Sequence, residues 1–295
     1  MNIIEKLPIP ISGLILAILS LGNLLQGYPR AVSGAVGVIL MAMLLLRVVL
    51  YPADIRRDLS NPIILSNSGT FSMALMILST YVNAFNGNLA LGVWILGVAL
   101  HILLIVWFTY RFIIRDFDIM TVYPSYWIVF IGITMGAITA HVHGLTEIAY
   151  LFFYFGFVMM LVTLPLVVYR YVRYPNELDQ NKPFICIFTA VISILIVGYT
   201  NSISMISYWF LIAIYTVAFA FFLFAFYKFI EYRNLDFYPS FSAFTFPFVI
   251  TAIASKEVFA VNQSPFFNAI ISIQTLIALV LVIYVFYCYA VFLLD

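Results

Sequence analysis

The sequence predicts an all-α integral membrane protein, with ten transmembrane helices arranged as five helical hairpins around a central pore. Three observations predict it. The composition lacks the charge that a water-facing surface needs, ten apolar runs are separated by short polar breaks, and prolines recur at the spacing of a helical hairpin.

Of the 295 residues, 65% are hydrophobic and 8% charged, and the mean hydropathy is +1.13. A soluble domain carries roughly 25% charged residues, so lipid must be the solvent for most of this surface. Ten helices of about 20 residues fit the length with short loops between them. We therefore expect one transmembrane domain over 1–295, with no soluble domain attached. A net charge of +1 gives no footprint for nucleic acid or another polyanion. Cys186 and Cys288 both lie inside apolar runs, at a spacing that suits neither a zinc site nor a disulfide framework. No metal and no cofactor is expected. Met1 to Lys6 followed by an apolar run has the outline of a signal peptide. Pro8, Pro10, Gly13 and the lack of a small-residue cleavage site indicate instead a retained first helix.

The apolar runs give spans at 7–25, 31–50, 64–84, 89–110, 123–141, 146–169, 183–201, 205–230, 239–261 and 266–293. An even number of spans puts both termini on one side. Of the 13 Lys and Arg, all but Arg30 and Lys256 fall on the side of the termini. Positive charge is retained in the cytoplasm, so both termini are expected there, in the plasma membrane of the cell.

Each odd-numbered span begins just after a proline: Pro8/Pro10, Pro62, Pro124, Pro183 and Pro239. Proline suits the first turn of a helix, where its missing N–H has no intrahelical partner to lose. From Pro10 the intervals are 52, 62, 59 and 56 residues, each one hairpin plus its loops. Equivalent odd helices imply a ring, and a ring leaves an axis. The odd spans also concentrate hydroxyls and helix breakers, whereas the even spans are richer in Leu, Val, Phe and Tyr, as lipid-facing helices should be. Candidate pore-lining residues are Ser12, Gly13, Ser72, Thr134, Gly136, Thr189, Ser242, Thr245, Pro247 and Val249. At any single one of them tight helix packing explains a small residue as well as a pore does. Their concentration in the odd spans favours the pore.

No carboxylate lies within the body of any span; Glu147 and Glu257 sit at outer edges. Cation pathways and proton relays ordinarily carry buried carboxylates, so the lining favours small inorganic or organic anions. Lys256, His141 and His143 are candidates for the outer vestibule, the His-x-His pair also as a pH-sensing element. His101 lies within the fourth span with no second histidine at matching depth, which argues for a hydrogen-bonded core residue rather than a haem ligand. No catalytic residues are identified: there is no His-Glu-x-x-His, no buried aspartate pair and no Ser-His arrangement.

Three short stretches carry a family resemblance. They are Leu7-Pro8-Ile9-Pro10-Ile11-Ser12-Gly13-Leu14, Tyr123-Pro124-Ser125-Tyr126-Trp127 and Phe244-Thr245-Phe246-Pro247-Phe248. With the hairpin repeat, they resemble the tellurite-resistance/dicarboxylate transporter family, which includes bacterial TehA and the plant guard-cell slow anion channel. The resemblance implies five hairpins around a pore and a homotrimer with one pore per subunit. It also implies that a phenylalanine of the ninth helix plugs the pore midway, and Phe246 is the matching position. Read as one helix, Ser242, Phe246, Val249 and Ile253 share a face, and Pro247 kinks that helix. The expected activity is an anion channel or facilitative anion transporter. The alternative is an ion-coupled carrier of C4-dicarboxylates or of oxyanions such as sulfite and tellurite.

Overall fold

The computed structural model describes residues 2–261 and 265–295. It is 85% helical, with no strand among the described residues. In chain order the main helices are α1 (Ile11–Leu25), α2 (Gly27–Leu50), α3 (Pro62–Val82), α4 (Gly87–Phe108), α5 in two halves (Ser125–Ile131 and Thr134–Ala140), α6 (Thr146–Arg173), α7 (Phe188–Ser202), α8 (Tyr208–Tyr232), α9 (Phe246–Val261) and α10 (Pro265–Leu294). Eight described helices are long and apolar enough to cross a bilayer, or nine if the bent pair that makes up α5 counts as one span.

The sequence reading of ten differs at the first span. Its helix proper runs only from Ile11, because Pro8 and Pro10 divert the entry into three-residue turns. Ile11 N–H donates to Pro8 O, Ser12 N–H to Ile9 O and Gly13 N–H to Pro10 O, at 3.0–3.1 Å. Two further proline entries are built the same way. Asp179–Ile187 and Pro239–Phe244 are 3₁₀ helices that run into α7 and α9.

Burial divides the helices sharply. The most apolar stretches of α3, α7 with its 3₁₀ entry, and α9 with its own are 67%, 94% and 72% buried. For α2, α4, α6 and α8 the figure is 28%, and for α10 it is 33%. Nearly every residue of α1 and α5 is buried as well. The five buried segments touch in a closed cycle, α1 to α3 to α5 to α7 to α9 and back to α1, and each packs on the helix that follows it in sequence.

Lipid tails are as apolar as leucine, so hydrophobicity cannot hold membrane helices together; close packing and hydrogen bonds must. The hydroxyls of the buried segments do this from one ring member to the next. Ser12 bonds Thr70 at 2.6 Å, Ser66 donates to Ser125 at 2.7 Å, and Thr189 and Ser193 both meet Thr251 at 2.9 Å. Helix α4 is pinned from outside the ring: His101 Nδ1 meets Ser72 Oγ at 2.7 Å, and Trp94 Nε1 donates to Thr139 at 2.9 Å.

Helix α5 bends by 49° at Gly132-Ile133. Gly132 N–H reaches back five residues to Trp127 O. A Cβ there would sit 2.2 Å from Ile128 O and 2.8 Å from both His101 and Met73. Only glycine lets α3, α4 and α5 meet at this point.

Candidate functional site

Three cavities follow one another along the ring of buried segments. The first lies at the proline-entry end, has a volume of about 380 Å³, and is lined by Pro8, Pro10, Asn61, Ile64, Phe184 and Ser240, among others. The central cavity is about 40 Å³ and takes its walls from all five buried segments, including Gly13, Asn67, Trp127, Ile194 and Phe246. The third, at the far end, is about 580 Å³ and is lined by Ser20, Thr80, His141, Asn201 and Lys256. On α3 the lining advances from Ile63 to Asn67 and Met73 and then to Thr80. At 1.5 Å per residue that path spans about 25 Å, close to the thickness of a bilayer core.

The central cavity is the smallest of the three. At roughly 10–15 Å³ for each water, the central cavity has room for only about three. Its wall is apolar: Met73, Ile128, Ile131, Ala190, Val191 and Ile194 join Phe246, whose residue is 6% exposed. No charged side chain lines it. Each outer cavity carries one more cation than carboxylate: Lys6 and Arg47 against Asp58 at the entry end, Arg30 and Lys256 against Glu257 at the far end. Buried polar atoms without a hydrogen-bond partner among the described residues recur at all three levels: Ser240 Oγ and the Nε and Nη1 of Arg47 at the entry, Asn67 Nδ2 and Trp127 Nε1 at the centre, and Ser20 Oγ beyond.

The two arginines at the outer cavities are held in place. Arg47 Nη2 pairs with Asp58 at 2.8 Å. Arg30 donates to Asn23 and to Thr80 O, both at 2.9 Å, with its guanidinium 4.7 Å from the Tyr81 ring. Beside the entry cavity, Arg170 is 1% exposed. It pairs with Glu177 at 2.7 Å, donates to Tyr123 Oη at 2.7 Å and stacks on the Tyr123 ring at 4.2 Å. Asn181, which lines that cavity, donates to the same Tyr123 hydroxyl. Burial pushes the Glu177 carboxyl above its ordinary range, with the Arg170 charge opposing.

Of the residues singled out from the sequence, Gly13, Ser242, Phe246 and Pro247 line the central cavity, and Lys256 and His141 line the far one. The others sit between helices. Ser12 bonds Thr70, Ser72 bonds His101, Thr189 bonds Thr251, and Thr245 Oγ1 donates to Ser242 O. Thr134 fills the space against Gly156 and Gly198, and Gly136 faces Phe152 and Val98. Val249 is fully buried away from the cavities. His143 meets Ser79 at 2.9 Å and packs on Trp94.

The ninth span is also not one continuous helix. Its 3₁₀ entry ends at Phe244, Thr245 breaks the path with φ −109° and ψ −84°, and α9 starts at Phe246. Pro247 therefore caps a helix start, where proline costs nothing, rather than kinking a helix interior. The break re-aims α9 and separates Val249 from the face it would share with Ser242 on a straight helix.

Asn67 and Trp127 were not anticipated as lining residues. The available signal for Asn67 was an amide set inside an apolar run; Trp127 gave none.

The chain matches no curated protein. A family model does match, across residues 10–290, and its description is voltage-dependent anion channel. The match covers nearly the whole chain, and the chain belongs to the voltage-dependent anion channel (SLAC1) family.

Proposed function

We propose that the protein is an anion channel or facilitative anion transporter of the plasma membrane, crossing ten times as five hairpins, with Phe246 as its gate. The observation that carries this reading is the narrowing from cavities of about 380 and 580 Å³ to one of about 40 Å³, walled by apolar side chains and the Phe246 ring. A hydrophobic constriction gates by excluding water, and charges at the mouths set which ions arrive. The surplus cation in each outer cavity suits anions, and the uncharged centre offers nothing to hold a cation. Support for ten passes comes from the three-residue turns that extend α1 back to Pro8 and from the packing of each buried segment on its successor. The positive charge at the proline-entry end supports cytoplasmic termini. The trimer rests on the family resemblance.

The ion-coupled carrier of dicarboxylates or oxyanions lacks an equivalent observation, because no carboxylate lines the central cavity to bind and release a proton. Current recordings of the full chain under chloride, nitrate and malate gradients test the proposal. Unitary currents reversing at the anion potential support it. Saturable flux abolished by collapsing the proton gradient refutes it in favour of the carrier.

A further inference from the structure

The central cavity contains a feature that a passive constriction does not need. Asn67 on α3 and Trp127 on α5 both line it, with residue exposures of 3% and 2%. Asn67 Nδ2 and Trp127 Nε1 have no hydrogen-bond partner among the described residues. Native interiors rarely leave buried N–H donors unmet, and here two share one small space.

The surroundings do not relieve them. Thr70 Oγ1 is committed to Asn67 O at 2.8 Å and to Ser12 at 2.6 Å. Apart from the Ser242 hydroxyl and Asn67's own amide oxygen, the remaining side chains of the wall are apolar. The Trp127 ring is itself fixed, standing edge-on to Phe188 with centroids 4.7 Å apart.

We propose that the central cavity is a binding site for one small, singly charged anion, held by the N–H groups of Asn67 and Trp127 beside Phe246. The inference rests on the anion-pathway reading and gives its narrow point a specific function. Neutral donors stabilise one negative charge without trapping it, as a buried lysine or arginine would. They do not offset a second charge in an apolar cavity, so a dicarboxylate dianion is excluded.

Two measurements on the full chain test this. Crystals of the wild-type protein soaked in bromide should show an anomalous peak within hydrogen-bond reach of Asn67 and Trp127. No peak at high bromide, with only water density in the cavity, overturns the site. In a Phe246→Ala background, anion current should saturate with chloride concentration. Trp127→Phe keeps the ring and removes the N–H, and Asn67→Leu removes the amide. Each should raise the half-saturating concentration about 10- to 150-fold, the worth of one hydrogen bond to a charged group. Half-saturation unchanged in both variants overturns the proposal. A bromide peak in a protein that passes no anion current under any gradient supports the site while refuting the pathway.

Discussion

Phe246→Ala is the perturbation that bears most directly on gating. The Phe246 residue is 6% exposed and lines a cavity of about 40 Å³. On the proposed gating role the ring must leave that apolar setting for anions to pass, and exposing a buried phenylalanine costs about 1.5–3 kcal/mol. At about 1.4 kcal/mol per factor of ten, removing the ring should raise open probability, and so macroscopic current, by about 10- to 100-fold. The assay is anion current in oocytes or proteoliposomes, normalised to protein at the surface. The same substitution also leaves a void, and losing a buried phenylalanine costs about 3–5 kcal/mol of stability. Phe248→Ala separates the two effects. Phe248 is fully buried against Phe222, with centroids 6.0 Å apart, and does not line the central cavity. It should lower stability without raising current. Unchanged current in Phe246→Ala at normal surface density, or equal gains in both variants, would refute the gating argument.

Three further predictions follow from other sites. Under opposed chloride and potassium gradients the reversal potential should track chloride, and tracking potassium would overturn the anion reading. Arg170→Leu strands the Glu177 carboxylate, whose side chain is 8% exposed, and should destabilise the protein by about 3–5 kcal/mol, seen as a lowered unfolding temperature in detergent. The double variant Arg170→Leu/Glu177→Leu should recover part of that loss, and no recovery would show that the ion pair is not the reason. Gly132→Ala should reduce yield and unfolding temperature, because its Cβ would meet the Ile128 carbonyl at 2.2 Å, whereas Gly92→Ala, whose Cβ meets nothing within 4 Å, should behave as wild type. Equal behaviour of the two glycine variants would remove the case for close approach at the α5 bend.

Much of the architecture was legible in advance because a bilayer sorts sequence coarsely. Runs of apolar residues, their length and the lysines and arginines between them decide what enters lipid, and none of this requires knowing which residues touch. The contrast between hydroxyl-rich odd segments and Leu- and Phe-rich even helices likewise reflects two solvents, protein and lipid. It matches the observed burial of α3 and α9 against the exposure of α2 and α4. The count at the first span was less legible, since Pro8 and Pro10 trade α-helical turns for three-residue ones.

By itself, then, the sequence determined the membrane class, the approximate spans, the side bias of charge and which segments are shielded from lipid. Only the tertiary structure decided which side chains of those segments face the axis. Periodicity locates a helix face by the contrast between apolar and polar environments, and a segment buried on all sides, as α7 is, has no such contrast. Its rotation is set by neighbours: by the contact of Thr134 with Gly156 and Gly198, by the Thr189–Thr251 bond, and by the break at Thr245 that re-aims α9. In the folded chain Ser72 and Thr189 turn toward adjacent helices, while Asn67 and Trp127 line the cavity beside Phe246.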